Sequence, residues 1–419
     1  MKILVLNAGS SSQKSCLYEF KAEEPPIPSR PLWEADIDWS HRPGLAEMKV
    51  ATAQGGSREE TLKSEARSAA ISHMLRTLWT GPTKIISEPS AIDIVGHRVV
   101  HGGREYEQST IVTDEVKAAI GRLCELAPAH NPANLEGIVA IERILGAVRQ
   151  VAVFDTAFHA QMPEAAAVYP GPYEWLKQGL RRYGFHGISH QYCATRAAEI
   201  LKRDLKDLRL ITCHLGNGCS LAAVRAGCSV DTTMGFTPLE GLMMGSRSGS
   251  IDPGLLLHLL RQPNYSVDQL DRILNQESGL RGISGLSSDL REVLAAMARG
   301  DSRAQLAFDV YVHSLRSYIG AMLASLGGVD ALAFTAGVGE HSAVVRAGAC
   351  EAFAFLGMKL DPEKNARSPL DSDIATADST VRVLVIHAEE DWAIAVECWK
   401  LTHEPPFMNA EKKNPKMNG

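Results

Sequence analysis

Two stretches of this chain, far apart in sequence, follow one plan. KILVLNAGSSSQKSCLYEF, beginning at Lys2, runs from an apolar strand through a Gly/Ser turn into a second strand, and RLITCHLGNGCSLAAVR at 209–225 does the same. An apolar strand that turns straight back on itself is confined to a hairpin, and a hairpin is stable only when further strands or helices cover its apolar face. Its recurrence predicts an internal duplication. The turns NAGSSS and LGNGCS add a chemical constraint, because Asn, Gly and Ser there let backbone N–H groups wrap an anion.

The surrounding pattern predicts what covers the hairpins. IDIVG at 92–96 and RQVAVF at 149–154 are short apolar runs suited to buried strands. Helices are predicted at 64–79 and 133–148, where apolar residues recur every three or four positions; NPAN starts the second. The alternation returns with a long helix at 303–326, then ALAFTAG at 331–337 and VRVLVI at 381–386. Strands alternating with helices predict mixed-sheet α/β lobes, and 419 residues exceed one comfortable core at roughly 150 residues per domain. The proline-broken stretch 23–60 is less regular; WEADIDW and AEMKVATA within it are expected to pair as an outlying hairpin. Beyond Thr402 a Pro/Lys/Asn-rich tail has no apolar period and is expected to fray.

Charge excludes some functions. With 43 Lys plus Arg against 49 Asp plus Glu, the net charge of -6 gives no overall attraction to nucleic acid or anionic lipid. No apolar run approaches the ~20 residues that span a bilayer, and the apolar stretch after Lys2 is too short for an export signal, so a cytoplasmic protein is expected. The eight cysteines include no CxxC pair, and reduced thiols are the expectation.

Three segments then place cations beside glycines: GHRVVHGG at 96–103, RRYGFHGISH at 181–190 and MGFTPLEGLMMGSRSGSIDPG at 234–254. A small, highly charged anion needs such a setting, since glycine lets backbone approach and a guanidinium forks onto phosphate or carboxylate. Arg98 and Arg247, converging on one anion, would supply charge that strengthens as phosphoryl oxygens spread in a transition state. His186, restrained between Phe185 and Gly187, suits a donor to such an oxygen, whereas His190 reads as a satisfied core imidazole. His97 and His101 stand at i and i+4, but their Gly and Val-Val surroundings argue against a helix offering both to a metal. Asp155, ending an apolar strand, reads either as a catalytic or metal-positioning carboxylate or as a cap for the next helix. Glu390 reads as a second such acid or as a solvated helix start. No GxxxxGK[ST] occurs and the TAGVGE glycines are too closely spaced for GxGxxG, so nucleotide phosphates must rest on the two hairpin turns and the TAGVG loop.

With these residues assembled, the chain resembles the acetate kinase family, short-chain carboxylate kinases of the acetate and sugar kinase, heat-shock chaperone ATPase and actin superfamily. NAGSSSQK at 7–14, VFDTAFH at 153–159, HLGNGCS at 214–220 and FTAGVGEH at 334–341 carry the resemblance, in order, over nearly the whole chain. It implies an α/β, two-lobed actin-like ATPase fold, that is, duplicated ribonuclease H-like domains with a cleft between them. The lobes would be 1–155, completed by a C-terminal helix at about 390–403, and a nucleotide-binding 156–389, with 404–419 a disordered tail. The implied reaction is reversible, Mg²⁺-dependent transfer of the γ-phosphoryl of ATP to acetate, giving acetyl phosphate and ADP, in a homodimer, with Mn²⁺ as an alternative ion.

The resemblance also implies roles. Ser10, Ser12 and Lys14 would belong to the first phosphate-side hairpin, and Asn7 and Glu390 to the metal. Arg98 and Arg247 would flank the acyl carboxylate and the transferring phosphoryl, His186 would stabilise that phosphoryl and His130 would support it; Asp155 would organise Mg²⁺ or the arginines. Nucleotide would be met by His214, Leu215, Gly216, Asn217 and Gly218, by Asp289, Leu290 and Arg291, and by Gly337, Val338, Gly339 and Glu340. Val100, Phe185 and Pro238 would form the methyl recess.

Four positions depart from the family pattern. Ala129 stands where Leu is usual, which predicts a larger recess and acceptance of propionate. Ser250 replaces an Asp, His341 an Asn on the purine side, and Glu389 precedes the acids where Asn or Asp is usual, leaving the alignment of Glu390 open by one position. The alternatives are a propionate- or butyrate-type kinase and a non-catalytic, nucleotide-dependent scaffold.

Overall fold

The computed structural model describes residues 1–9, 12–21, 27–39, 44–63 and 67–403. Ser10 and the tail 404–419 lie outside them. Two sheets organise the chain. The first holds β1 (Lys2–Ala8), β2 (Ser12–Glu19), β3 (Trp33–Asp38), β4 (Leu45–Thr52), β5 (Ser57–Lys63), β6 (Ile94–Val99), β7 (Thr110–Ile111) and β8 (Arg149–Phe154), in the order β5-β4-β3-β2-β1-β6-β8-β7. The second holds β9 (Arg209–Leu215), β10 (Cys219–Arg225), β11 (Cys228–Thr232), β12 (Ala331–Thr335), β13 (Ser372–Asp373) and β14 (Arg382–Val385), in the order β11-β10-β9-β12-β14-β13.

The expected duplication is explicit in the pairing. In the first sheet β1 pairs antiparallel with β2 and parallel with β6, which continues parallel to β8 and ends on antiparallel β7. In the second, β9 pairs antiparallel with β10 and parallel with β12, followed by parallel β14 and antiparallel β13. Cross-strand register makes Asn7 opposite Lys14 equivalent to His214 opposite Ser220. Each hairpin therefore lifts one polar pair to the same end of its sheet.

WEADIDW and AEMKVATA do pair, as β3 and β4, but they extend the first sheet through β2 rather than lying outside it. RQVAVF is β8 over its whole length, whereas Ala336 and Gly337 leave the sheet after β12 to begin the helix Ala336–His341. Of the helix predicted at 64–79, Arg67–Arg76 is helical. The long helix Ser302–Leu326 starts where the Asp301 carboxylate accepts from the backbone N–H of Arg303 and Ala304. It ends at Gly327 in the left-handed region and buries Tyr311, Leu315, Ile319, Met322 and Leu326 against the second sheet.

The last helix, Glu390–His403, packs back on β1 and β6 of the first sheet. Trp392, Ile394, Ala395 and Cys398 share a core with Ile3, Val5 and Ile94. Gly96 permits this approach, since a Cβ there would stand 2.6 Å from Cys398 Sγ and 2.7 Å from Ile394 Cγ2. Gly96→Ala is therefore expected to lower stability by about 1–3 kcal/mol, as overpacked cores do. An unchanged urea midpoint would show that the helix moves aside freely.

Candidate active site

The strand ends of both sheets and the starts of two helices meet at one crevice. From the first sheet, Arg98 on β6 donates through Nε and Nη2 to Asp155 Oδ2, at 2.9 and 2.5 Å, and through Nη1 to Asn7 Oδ1 at 3.3 Å. Asn7 donates in turn to Asp391 Oδ1 at 2.9 Å and Glu390 Oε2 at 3.4 Å. Asp391 is occupied on its other oxygen by Lys14 Nζ at 2.9 Å. The acids 389–391 are thereby sorted: Glu389 faces His387, Asp391 is locked to Asn7 and Lys14, and Glu390 turns towards Asn7 and His214. Burial opposes the Arg98 charge, but Asp155, Glu390 and Asp391 together hold it firmly protonated. Burial pushes the Asp155 carboxyl above its ordinary value while Arg98 opposes that shift. Asp155 makes no helix cap of its own; the helix-opening reading gives way to the ion pair.

Two asparagines fix the loop behind Arg98. Asn134 accepts from Val100 N and donates to the Ala8 carbonyl, and Asn131 exchanges bonds with the backbone of His101 in both directions. Both sit on the helix Asn131–Leu145, read from sequence only as a helix start. His97 and His101 do diverge, as their surroundings require: His97 bonds Gln150 and His101 receives the Gly103 N–H.

The chain beyond β8 contributes histidines and the second arginine. His186 adopts a left-handed backbone, φ 56°, and the following Gly187 N–H reaches the Asp155 carbonyl at 2.9 Å; a Cβ on Gly187 would overlap that carbonyl. A non-glycine residue held at positive φ marks a conformation imposed by its surroundings. The ring stacks on His214, centroids 4.1 Å apart, with His186 Nδ1 2.9 Å from Ser220 Oγ. Arg247 donates to the Pro238 carbonyl at 3.2 Å and, among the described residues, has no carboxylate partner. A Cβ built on Gly218 would meet Arg247 Nη1 at 3.5 Å and His186 Nε2 at 3.6 Å, so cation, imidazole and turn glycine converge. Both arginines press on the same two imidazoles. Burial, then the Arg98 and Arg247 charges, lowers His130 to about 4, and the same cations act on His186, which lies well below its ordinary value. By contrast Arg182, in the same RRYGFHGISH segment, is spent inside the fold on the carbonyls of Thr232, Thr233 and Met234 and on Glu240.

Beside the second hairpin lies a cavity of about 640 Å³. Gly216, Asn217, Asp289, Leu290, Arg291, Gly337 and Val338 line it, as does His341. Sequence reading missed Tyr311 and Leu280 on its wall, because they come from separate elements with no local motif, and Ser288, which adjoins the predicted Asp289-Leu290-Arg291 run. Five predicted contacts do not line it: His214 and Gly218 stand beside His186 in the crevice, and three others are placed elsewhere. Leu215 is fully buried, since strand alternation turns it away from the face that carries His214. Gly339 packs against Phe334, and Glu340 is buried, accepting from His387 and Ala388 N–H.

Of the recess residues, Val100 and Phe185 are buried in one apolar cluster with Met234, and Pro238 is half-buried beside Arg247. Ala129 is exposed, one residue before half-buried His130 at the start of its helix. Ser12 lies exposed at the head of β2.

Comparison with known proteins follows the same lines. The sequence profile of the acetokinase family matches residues 2–396. The chain is 65% identical over 405 residues to a protein of Nostoc sp. named acetate kinase, covering 96% of this chain and 99% of that one. It is 65% identical over 402 residues to one of Gloeobacter violaceus of the same name, covering 96% and 99%. Among solved structures, the acetate kinase of Porphyromonas gingivalis is similar at a TM-score of 0.88 and 40% identity, covering 96% of this chain and 99% of that one. A propionate kinase from Francisella tularensis is similar at 0.86 and 36%, covering 94% and 98%.

Proposed function

We propose a function from one premise: the chain belongs to the acetokinase family. It transfers the γ-phosphoryl of ATP to the carboxylate of acetate, reversibly, giving acetyl phosphate and ADP. One observation carries the reading: Arg247 is a half-buried guanidinium without a carboxylate partner among the described residues, aimed with His186 at a glycine turn. Taking a cation out of water without a partner is costly, so a site built this way requires an anion.

In this reading the nucleoside occupies the cavity lined by Asn217, Asp289, Arg291 and Gly337, and its phosphates run over the turn Gly216–Gly218. The transferring phosphoryl lies between Arg247 and His186, a neutral imidazole that donates a hydrogen bond without repelling Arg98. Arg98, held by Asp155 and Asn7, meets the acyl carboxylate, and Val100, Phe185 and Pro238 surround its methyl. Holding the two anions in line removes the entropy cost of their encounter. The residues present suit Mg²⁺, or Mn²⁺ in its place: Glu390 is a hard oxygen donor that feels the Arg98 charge but makes no direct ion pair with a Lys or Arg among the described residues, with Asn7 beside it. Bound there with the substrate phosphates, the ion would neutralise their charge.

A hydroxamate assay with ATP, Mg²⁺ and acetate tests the reaction; folded, ATP-binding protein that makes no acyl phosphate would favour the scaffold reading. Ala129 gives the acceptor range its own test. Propionate is expected to be used alongside acetate, and Ala129→Leu to shift kcat/KM towards acetate by about 1–3 kcal/mol, the worth of one methylene. A strong acetate preference unchanged in the variant would remove the proposed recess.

A homodimer is part of the proposal. The helix Pro253–Leu260 supports it, because none of its residues is buried and Leu255, Leu257 and Leu260 are 46%, 56% and 42% exposed. Leu257→Glu is expected to give monomers by light scattering; an unaltered mass would put the contact elsewhere. No described helix is long and apolar enough to cross a membrane, in keeping with the cytoplasmic location proposed here.

A further inference from the structure

His190 is fully buried, lies outside the proposed substrate contacts, and yet is bonded at both ring nitrogens. Its Nδ1 is 2.7 Å from Thr212 Oγ1 and its Nε2 is 2.7 Å from Ser220 Oγ. Ser220 Oγ also lies 2.9 Å from His186 Nδ1. Four side chains from three elements thus form one chain, Thr212, His190, Ser220, His186, whose free end is His186 Nε2 beside Arg247 and Gly218.

A neutral imidazole carries one proton, and a hydroxyl donates one and accepts up to two. Ser220 accepting from both rings would leave its own proton without a partner among the described residues, so with each hydroxyl donating, two polarities remain. In one, His186 Nδ1–H donates to Ser220, Ser220 donates to His190 Nε2, and His190 Nδ1–H donates to Thr212. Among the described residues the Thr212 proton then has only the Ala222 carbonyl, at 3.5 Å, the outer limit of a hydrogen bond. In the other, Thr212 donates to His190 Nδ1 at 2.7 Å, His190 Nε2–H donates to Ser220, and Ser220 donates to His186 Nδ1. Every bond in this second arrangement is short. It leaves the proton of His186 on Nε2, directed at the crevice. Rotation of the ring is opposed by His214 stacked on its face, itself tied to Ser189 Oγ at 2.8 Å.

We propose that Thr212, His190 and Ser220 are positioning residues whose hydrogen-bond polarity fixes His186 as its Nε2–H tautomer, presenting a donor to a phosphoryl oxygen. The consequence for turnover rests on the kinase reading; the tautomer does not.

The test is NMR of the full-length protein carrying ring-¹⁵N histidine, without ligand, with the His186 signals assigned by their loss in His186→Asn. His186 Nε2 is expected to give a protonated-nitrogen signal and Nδ1 an unprotonated one. Thr212→Val, which keeps the shape and removes the terminal donor, is expected to mix the two tautomers, and Thr212→Ser to restore the wild-type pattern. kcat is expected to fall by the fraction of Nε2–H lost, with KM for ATP unchanged, since only the competent tautomer turns over. An Nδ1–H signal in the wild type would overturn the proposal, as would a Thr212→Val variant that keeps pure Nε2–H. Mixed tautomers with unchanged kcat would overturn its catalytic half. If the wild type makes no acyl phosphate, the kinase reading fails and the ring signals still decide the polarity.

Discussion

Arg247→Ala is expected to yield a folded protein whose kcat falls roughly 10²–10³-fold, the usual loss when one preorganised donor to transition-state charge is removed. Stability should barely change. Arg247 makes a single described bond, to the Pro238 carbonyl, so its removal strands no buried charge. Arg98→Ala should behave differently, because it leaves buried Asp155 without its guanidinium and Asn7 without a donor. Breaking a buried pair by removing one partner costs about 3–5 kcal/mol, so this variant should lose stability as well as turnover. Arg98→Ala,Asp155→Asn should regain much of the stability and none of the activity. Nucleotide affinity should survive in both single variants, since the cavity lined by Asn217, Asp289 and Arg291 involves neither side chain. Steady-state kinetics beside urea unfolding separates the two arginines; near-normal turnover in both single variants would end the assignment of phosphoryl transfer to this crevice.

That contrast also marks what the sequence could convey. The two hairpins were legible because strand–turn–strand is local, and the repeated pattern carries its own register; Asn7 and Lys14 came only through the family resemblance, and their bonds to Asp391 were not legible. Arg98 and Arg247 stood out for their glycine neighbours, but their different energetic situations were not legible. The difference depends on Asp155, contributed by another strand end, and on which of Glu389, Glu390 and Asp391 faces inward. A helix start sets that choice by side-chain direction rather than by order in the run. Asn131 and Asn134 were overlooked for a related reason. At the head of a helix an asparagine signals a boundary, and nothing nearby says that both side chains instead clamp the backbone beyond Arg98. Leu215 was assigned to nucleotide because motif reading treats neighbours alike, whereas the pleat puts His214 and Leu215 on opposite faces. His190 illustrates the converse: a satisfied core imidazole was the correct description, but its partners join it to His186.

The burial of these imidazoles makes the fold acid-sensitive. His97, His159 and His214 are each lowered by burial to about 4, and His186 and His190 also lie well below the ordinary value, again chiefly through burial. An unfolded chain would protonate them near 6.5. A depressed folded value means that the unfolded state binds the extra protons, so this contribution to stability is complete above about pH 6.5 and is lost as pH falls towards 4. Each such histidine is worth up to about 1.4 kcal/mol per pH unit in that window. Three of them approach about 4 kcal/mol per unit, against a total stability of roughly 5–15 kcal/mol for an ordinary domain. Asp155 works the other way, because burial raises it and the fold then binds its proton earlier, but one group does not offset several. The urea midpoint should therefore be nearly level from pH 8 to 7 and drop steeply between 6.5 and 4.5, with uptake of two or more protons on unfolding. His159→Gln, which can keep one of the bonds to Ser229 and the Phe185 carbonyl, should make that slope shallower. A midpoint that stays level or rises from pH 7 to 5 would mean that water reaches these rings, and the neutral state assigned to His186 would lose its physical basis.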